Sequence, residues 1–209
     1  MSPTVDALLP LSLLEAVRNM DKPVDDLEAE FVHELRNKRL GLSETVYAQI
    51  RRYSDAVKRN QRTATDEAVA LAKLIGRRPD ADDVFRAAGR FLAGEAYQTI
   101  PAFTRRVMLF LPSLLARPIA LRSARRIAQR YFNGRVSRVG SSVLLEVPSS
   151  VTIDSGPRGS GCAYYETGLR ELLRLLVNGA GPVEHVRCAS RGEGSCQWRA
   201  EWRPVAATK

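Results

Sequence analysis

The sequence predicts an α+β fold: a helical N-terminal half followed by a ββαββ unit whose antiparallel sheet packs against helices. Three observations carry this expectation. Apolar residues recur at helical spacing through the first 130 or so positions. After Asn133-Gly134 the period drops to two, with Val143, Leu145 and Val147 alternating with Leu144 and Glu146. The last strand alternates most clearly, placing Cys196, Trp198, Ala200 and Trp202 on one face and Gln197, Arg199, Glu201 and Arg203 on the other.

Taken in order, Leu8 to Val17 and Leu27 to Leu35 have helical patterns. Ser43-Glu-Thr opens a helix with Val46, Ile50, Tyr53 and Val57 on one face. Thr65-Asp-Glu caps the next, with Val69, Ala72, Leu74 and Ile75 expected inward and Gly76 as its stop. Asp82-Asp83 begins a helix with a Val84, Ala88, Phe91, Leu92 stripe. Val107 to Leu121 is apolar but carries Arg117, Pro112 and Pro118, which predicts a buried, broken helix. A membrane-spanning helix needs about 20 apolar residues, and this run has fifteen, so no membrane span is expected. Another helix covers Ile119 to about Phe132. Arg135 to Val139 pairs with the Val143 strand through Gly140-Ser141. Gly156 to Gly161 forms a loop, and Tyr165, Leu169, Leu172, Leu173 and Leu176 then mark an amphipathic helix that ends at Asn178-Gly179. Two strands close the chain.

Composition narrows the class. The start, Met1-Ser-Pro-Thr-Val-Asp, has no positively charged n-region, and three cysteines cannot pair completely, so a soluble cytoplasmic protein is expected. The formal charge is +9, and it is uneven: Ala96 to Leu145 contains nine arginines and no Asp or Glu. Such a field attracts phosphate, carboxylate or an acidic partner, and it equally describes a solvated helix face.

The chemistry concentrates near the C-terminus, which holds all three cysteines. Cys188 and Cys196 are eight positions apart, flanking a turn with Gly192 and Gly194. A hairpin brings such positions together. Cys162 opens the Tyr165 helix, where the dipole favours thiolate. Packing that helix start over the hairpin adds a third sulfur. Thiolates gathered this way suit a tetrahedral zinc ion, with the fourth ligand from His185, Glu184 or a water. Period-2 alternation favours Glu184, which shares a face with Cys188, whereas a bulge near the strand end reverses the preference to His185. Three thiolates make the metal a poor Lewis acid, so the expected role is structural.

The pattern His185-x-x-Cys188-x-x-x-Gly192-Glu193-x-x-Cys196-x-Trp198 resembles the C-terminal signature of 4-vinyl-reductase-type domains, which include aromatic-sensing modules of bacterial transcription activators. The resemblance extends from about Phe85 to Arg203. It departs from the family where His185 stands in place of Glu and Gly-Glu in place of Gly-Asp. It implies a zinc set of Cys162, His185, Cys188 and Cys196, with Glu184 as the alternative to His185. It also implies a ligand-binding domain over 81–209 preceded by a helical extension over 1–80. Family members bind a small hydrophobic, aromatic or tetrapyrrole-like ligand between helices and sheet. The implied lining here is Phe103, Val107, Phe110, Leu111, Leu114, Tyr131 and Tyr164.

Three function classes follow. The first is a zinc-stabilised, non-catalytic sensor or carrier, which would pass its signal through a protein partner or a homodimer. The second is a DNA-binding regulator using the basic helices, with Asp66–Ile75 and Asp82–Leu92 as a helix-turn-helix-like pair. Asp80, Asp82 and Asp83 at the start of the second helix would repel phosphate and argue against nucleic acid. The third is an enzyme, for which the sequence offers no nucleophile–base motif, P-loop or dinucleotide loop.

Overall fold

The computed structural model describes residues 3–22, 40–111, 113–156, 159–177, 179 and 181–202. The helix expected over Leu27 to Leu35 lies outside them. Strand β1 (Thr4–Asp6) leads into α1 (Leu8–Met20), where the Leu8 N–H donates to Asp6 Oδ1 at 3.0 Å. Pro10 falls in the first turn, where an intrahelical N–H partner is missing anyway, so α1 runs through it. Leu8 to Leu14, Ala16 and Val17 are all buried, making α1 an interior helix.

Helix α2 (Glu44–Lys58) starts as the sequence predicts: Ser43 is its N-cap and accepts from the Val46 N–H at 3.3 Å. Val46, Ile50 and Tyr53 face inward. Strand β2 (Arg62–Ala64) pairs antiparallel with β1, a ribbon too short for alternation to reveal. Helix α3 (Thr65–Ile75) has Ala64, not Thr65, at its N-cap position. Its buried residues are Ala68, Ala72 and Ile75, and Leu74, expected inward, is exposed. Leu74 lies about 100° around the helix from Ile75, off the 68–72–75 stripe.

Helix α4 (Ala81–Gln98) is the centre of the helical layer, buried along Val84, Phe85, Ala88, Gly89, Leu92, Ala93 and Ala96 and packed on α1. The broken helix expected over Val107–Leu121 is two helices, α5 (Ala102–Phe110) and α6 (Ser113–Tyr131). They part at Leu111, which is extended (φ −76°, ψ 144°), the conformation imposed on a residue preceding proline. Arg78 adds a polar tie, donating to Asp21 at 2.6 and 2.9 Å and to Asp80 at 2.8 Å. These hydrogen bonds hold the Asp80 carboxyl below the usual carboxylate range.

The second half is the predicted ββαββ unit. Strands β3 (Arg135–Val139) and β4 (Ser142–Val147) precede α7 (Cys162–Val177), and β5 (Val183–Arg187) and β6 (Cys196–Glu201) follow it. All pairings are antiparallel, in spatial order β3-β4-β6-β5. The inward face carries Val143, Leu145, Val147, Cys196, Trp198 and Ala200, as alternation predicts. Helix α7 packs between that face and α4. Tyr165 stacks on Trp198 at 5.1 Å and meets Tyr164 edge-on at 5.1 Å. One hydrophobic core runs from Val5 to Trp202, with residues on both sides of position 80. Among the described residues no helix is long and apolar enough to cross a membrane.

Candidate metal centre

At one end of the sheet, β5, β6 and the start of α7 converge. Cys162 is the first residue of α7, Cys188 follows β5 and Cys196 opens β6. One ligand atom from each cysteine and one ring nitrogen of His185 lie within 4.8 Å of one another. The Sγ atoms of Cys162 and Cys188 are 3.9 Å apart, and all three cysteines are buried and free. A tetrahedral metal with sulfur at about 2.3 Å sets its sulfurs about 3.8 Å apart, so this spacing fits a shared ion. His185 supplies a second sign of fit. Its Nε2 is buried and has no hydrogen-bond partner, a cost that a metal bond would remove.

The backbone explains why His185, rather than Glu184, joins the sulfurs. In the β5–β6 ladder His185 faces Trp198 and Arg187 faces Gln197, so Val186 is an extra residue and the register shifts there. Without that bulge, positions three apart on a strand point to opposite faces. With it, His185 and Cys188 return to the same side as Cys196. Glu184 pairs with Arg199 and is exposed on the other face. The His185 ring lies flat on Trp198, with centroids 4.7 Å apart and planes 7° apart, which fixes its orientation.

The turn between the cysteines is held by its own polar groups. The Cys188 N–H donates to Glu193 Oε2 at 2.6 Å, and Cys188 Sγ lies 3.1 Å from the Ser190 hydroxyl. The Ala189 N–H points at Cys196 Sγ, 3.3 Å away. Gly192 (φ 79°) and Gly194 (φ 84°) take the left-handed conformations that reverse the chain. That backbone hydrogen bond, first among the causes, holds the Glu193 carboxyl below its usual range. Neither Glu193 as an anchor nor Trp198 as the platform for His185 was foreseen. The signal for Glu193 was an acid placed within a glycine turn between two cysteines.

Helix α7 is pinned from behind. Thr152 donates through its hydroxyl to the Gly161 carbonyl at 2.6 Å, and a Cβ on Gly161 would stand 1.7 Å from the Thr152 carbonyl oxygen. Only glycine admits that approach, and it sets where Cys162 begins the helix.

Electrostatically the sulfurs form one proton-sharing group. Cys196 is driven down to about 5, first by the hydrogen bond from Cys162 and then, against burial, by the Ala189 N–H and His185. Cys162 is pushed well up, because its proton is held by Cys196, because it is buried, and because negative charge on adjacent sulfurs opposes its own ionisation. The helix dipole was expected to favour thiolate at Cys162; two adjacent sulfurs outweigh it. A divalent cation removes this conflict by neutralising the thiolates together. The Cys3His group can therefore hold a metal ion with four protein donors.

The side chains expected to line a ligand pocket differ widely in exposure. Phe103 is 78% exposed and Phe110 87% exposed, because α5 turns Met108 inward and these two outward. Val107 and Leu111 are half-buried. Tyr131 and Tyr164 are core residues, and the Tyr164 hydroxyl lies 3.1 Å from Ser12 Oγ. The Leu114 side chain lies outside the described part. A separate cleft of about 560 Å³ opens beside the end of α6, lined by Arg125, Gln129, Asn133, Arg135, Pro148 and Ser149 among others.

No protein-family model matches the chain, and no curated protein matches it either.

Proposed function

We propose that the protein is a zinc-stabilised, non-catalytic domain of the 4-vinyl-reductase type that binds a small aromatic molecule as a sensor or carrier. The observation that carries this reading is the closed donor set. Three buried sulfurs and one imidazole nitrogen lie within 4.8 Å of one another, and zinc accepts that mixture of soft and borderline donors. A catalytic zinc keeps a position for water, whereas four protein ligands leave none. The reading is also supported by the quoted motif, in which His185 takes the place of the family's Glu.

The ligand site moves with this proposal. The cleft beside α6 has the volume of a small-molecule site and presents Arg125 and Arg135, so an aromatic carboxylate suits it better than a neutral hydrocarbon. Use of α4 as a DNA-reading helix is disfavoured. Its central turns are buried, and its exposed side chains are Asp82, Asp83, Arg90, Glu95 and Gln98.

Native mass spectrometry of untagged protein tests the reading. One zinc per chain is expected, with a rise in melting temperature on adding benzoate or protoporphyrin. Protein that folds fully without metal and takes none up at micromolar zinc would overturn the zinc assignment. A melting temperature unmoved by either carboxylate would overturn the ligand assignment.

A further inference from the structure

We propose that α5 and the first turns of α6 form a docking surface for an anionic lipid bilayer. Phe103 and Phe110 lie seven residues apart on α5, about 20° apart around its axis, and Arg106 stands between them on the same stripe. Both rings are almost wholly in water, at 78% and 87% exposure. Beyond the break at Leu111, Leu115 is 59% exposed, and Pro118, Arg122 and Arg126 farther along α6 are exposed as well. The chain therefore presents apolar groups at the helix–helix break with arginines on either side.

Charge selects the occupant. From Ala96 to Leu145 the sequence contains nine arginines and no carboxylate, so the segment repels a cationic surface and offers no internal ion pair. Some of these arginines have structural partners: Arg130 bonds to Asp6 and Asn60, and Arg125 to the Val136 carbonyl. Those lie toward the far end of α6, whereas Arg106 and Arg122 flank the exposed phenylalanines and leucine. The apolar groups also protrude. A protein partner would need a matched pocket for each ring, while a fluid bilayer accommodates protruding rings at its headgroup boundary and draws arginine by its negative surface potential. The surface lies on the helical layer and uses none of the Cys3His ligands.

The test is co-sedimentation of the full, metal-loaded chain with vesicles of phosphatidylcholine alone or mixed in equal parts with phosphatidylglycerol. Binding is expected only with phosphatidylglycerol and should weaken in concentrated salt. Partial burial of two rings accounts for about a tenfold change in partitioning, so F103S/F110S should lose at least that factor. R106E/R122E should lose a comparable factor and most of the salt dependence. All four side chains are exposed, so circular dichroism should be unchanged. The proposal is overturned if the chain stays in the supernatant with both vesicles, or if F103S/F110S binds as well as the parent. It is equally overturned if size-exclusion chromatography shows a dimer abolished by F103S/F110S with no vesicle binding, which would make the surface a contact between copies.

Discussion

Replacing His185 with Phe separates the ring's two roles. The substitution keeps an aromatic face on Trp198, now 4.7 Å from the imidazole, and removes both nitrogen donors. Structural zinc contributes about 10–16 kcal/mol of apparent binding energy in small zinc domains. Shared among four donors, the loss of one weakens binding by about 2.5–4 kcal/mol, or roughly a hundredfold or more. The stack contributes about 0.5–1.5 kcal/mol. For a chain of this length that corresponds to about 1–6 °C, which His185→Ala should lose even in chelator. His185→Phe should therefore melt close to the parent in chelator and well below it in zinc. Competition against a chromophoric chelator measures the affinity, and paired melts with and without EDTA measure the stack. Glu184→Ala, on the opposite face, should match the parent in both. If His185→Phe holds one zinc as tightly as the parent while Glu184→Ala releases it, the assignment of the bulge and of the fourth ligand is wrong.

Other consequences follow from the same contacts. Glu193→Ala removes the acceptor for the Cys188 N–H and should weaken metal affinity by about tenfold or more, seen in the same competition assay. Gly161→Ala forces a Cβ onto the Thr152 carbonyl and should cost about 1–3 kcal/mol in denaturant unfolding. In chelated protein, stability should rise from pH about 5 to about 8.5, where the unfolded chain still holds the proton Cys196 has lost. Above that it should fall, because the unfolded chain has lost the proton that Cys162 retains; zinc-loaded protein should show no such fall in a pH series of melts. Chelation should also speed hydrogen exchange across Ala189–Gly194 while the centre of α4 stays protected, as mass spectrometry after pulse labelling would report.

Much of this architecture was legible because burial writes a period into a strand or helix. Cys196, Trp198, Ala200 and Trp202 alternate so regularly that their inward face followed directly, and Ser43 announced the start of α2. The three sulfurs could be grouped because a glycine turn and a helix start are local features. The fourth donor could not be fixed that way. Its identity depends on whether Val186 is inserted as a bulge, and one residue of register inverts the answer. The facing of the expected lining residues could not be read for a related reason. An apolar run of helical length does not say which of its residues face the core, and α5 turned Phe103 and Phe110 to the outside. The β1–β2 ribbon was beyond reach, since three residues per strand carry too little pattern to separate from a loop.

The location of the cluster gives a physical reason for a metal in a chain large enough to fold without one. The core is continuous from Val5 to Trp202, so the helical layer and the centre of the sheet are held by apolar burial. The β5–β6 turn is not. Ser190 to Gly194 are exposed, and the turn is tied inward by the buried Cys188 and Cys196, by the half-buried Ala189 and by the Ser195 hydroxyl, which donates to Glu146 Oε1 at 3.0 Å. Buried thiols alone are weak anchors, and in this setting they compete for protons, as the opposed shifts of Cys162 and Cys196 show. A bound cation would convert that conflict into attraction and tie the turn to the first residue of α7. Helix α7 in turn packs on both the sheet and α4. A metal held by this group would act at the exposed end of the sheet, fixing the position of α7 along it.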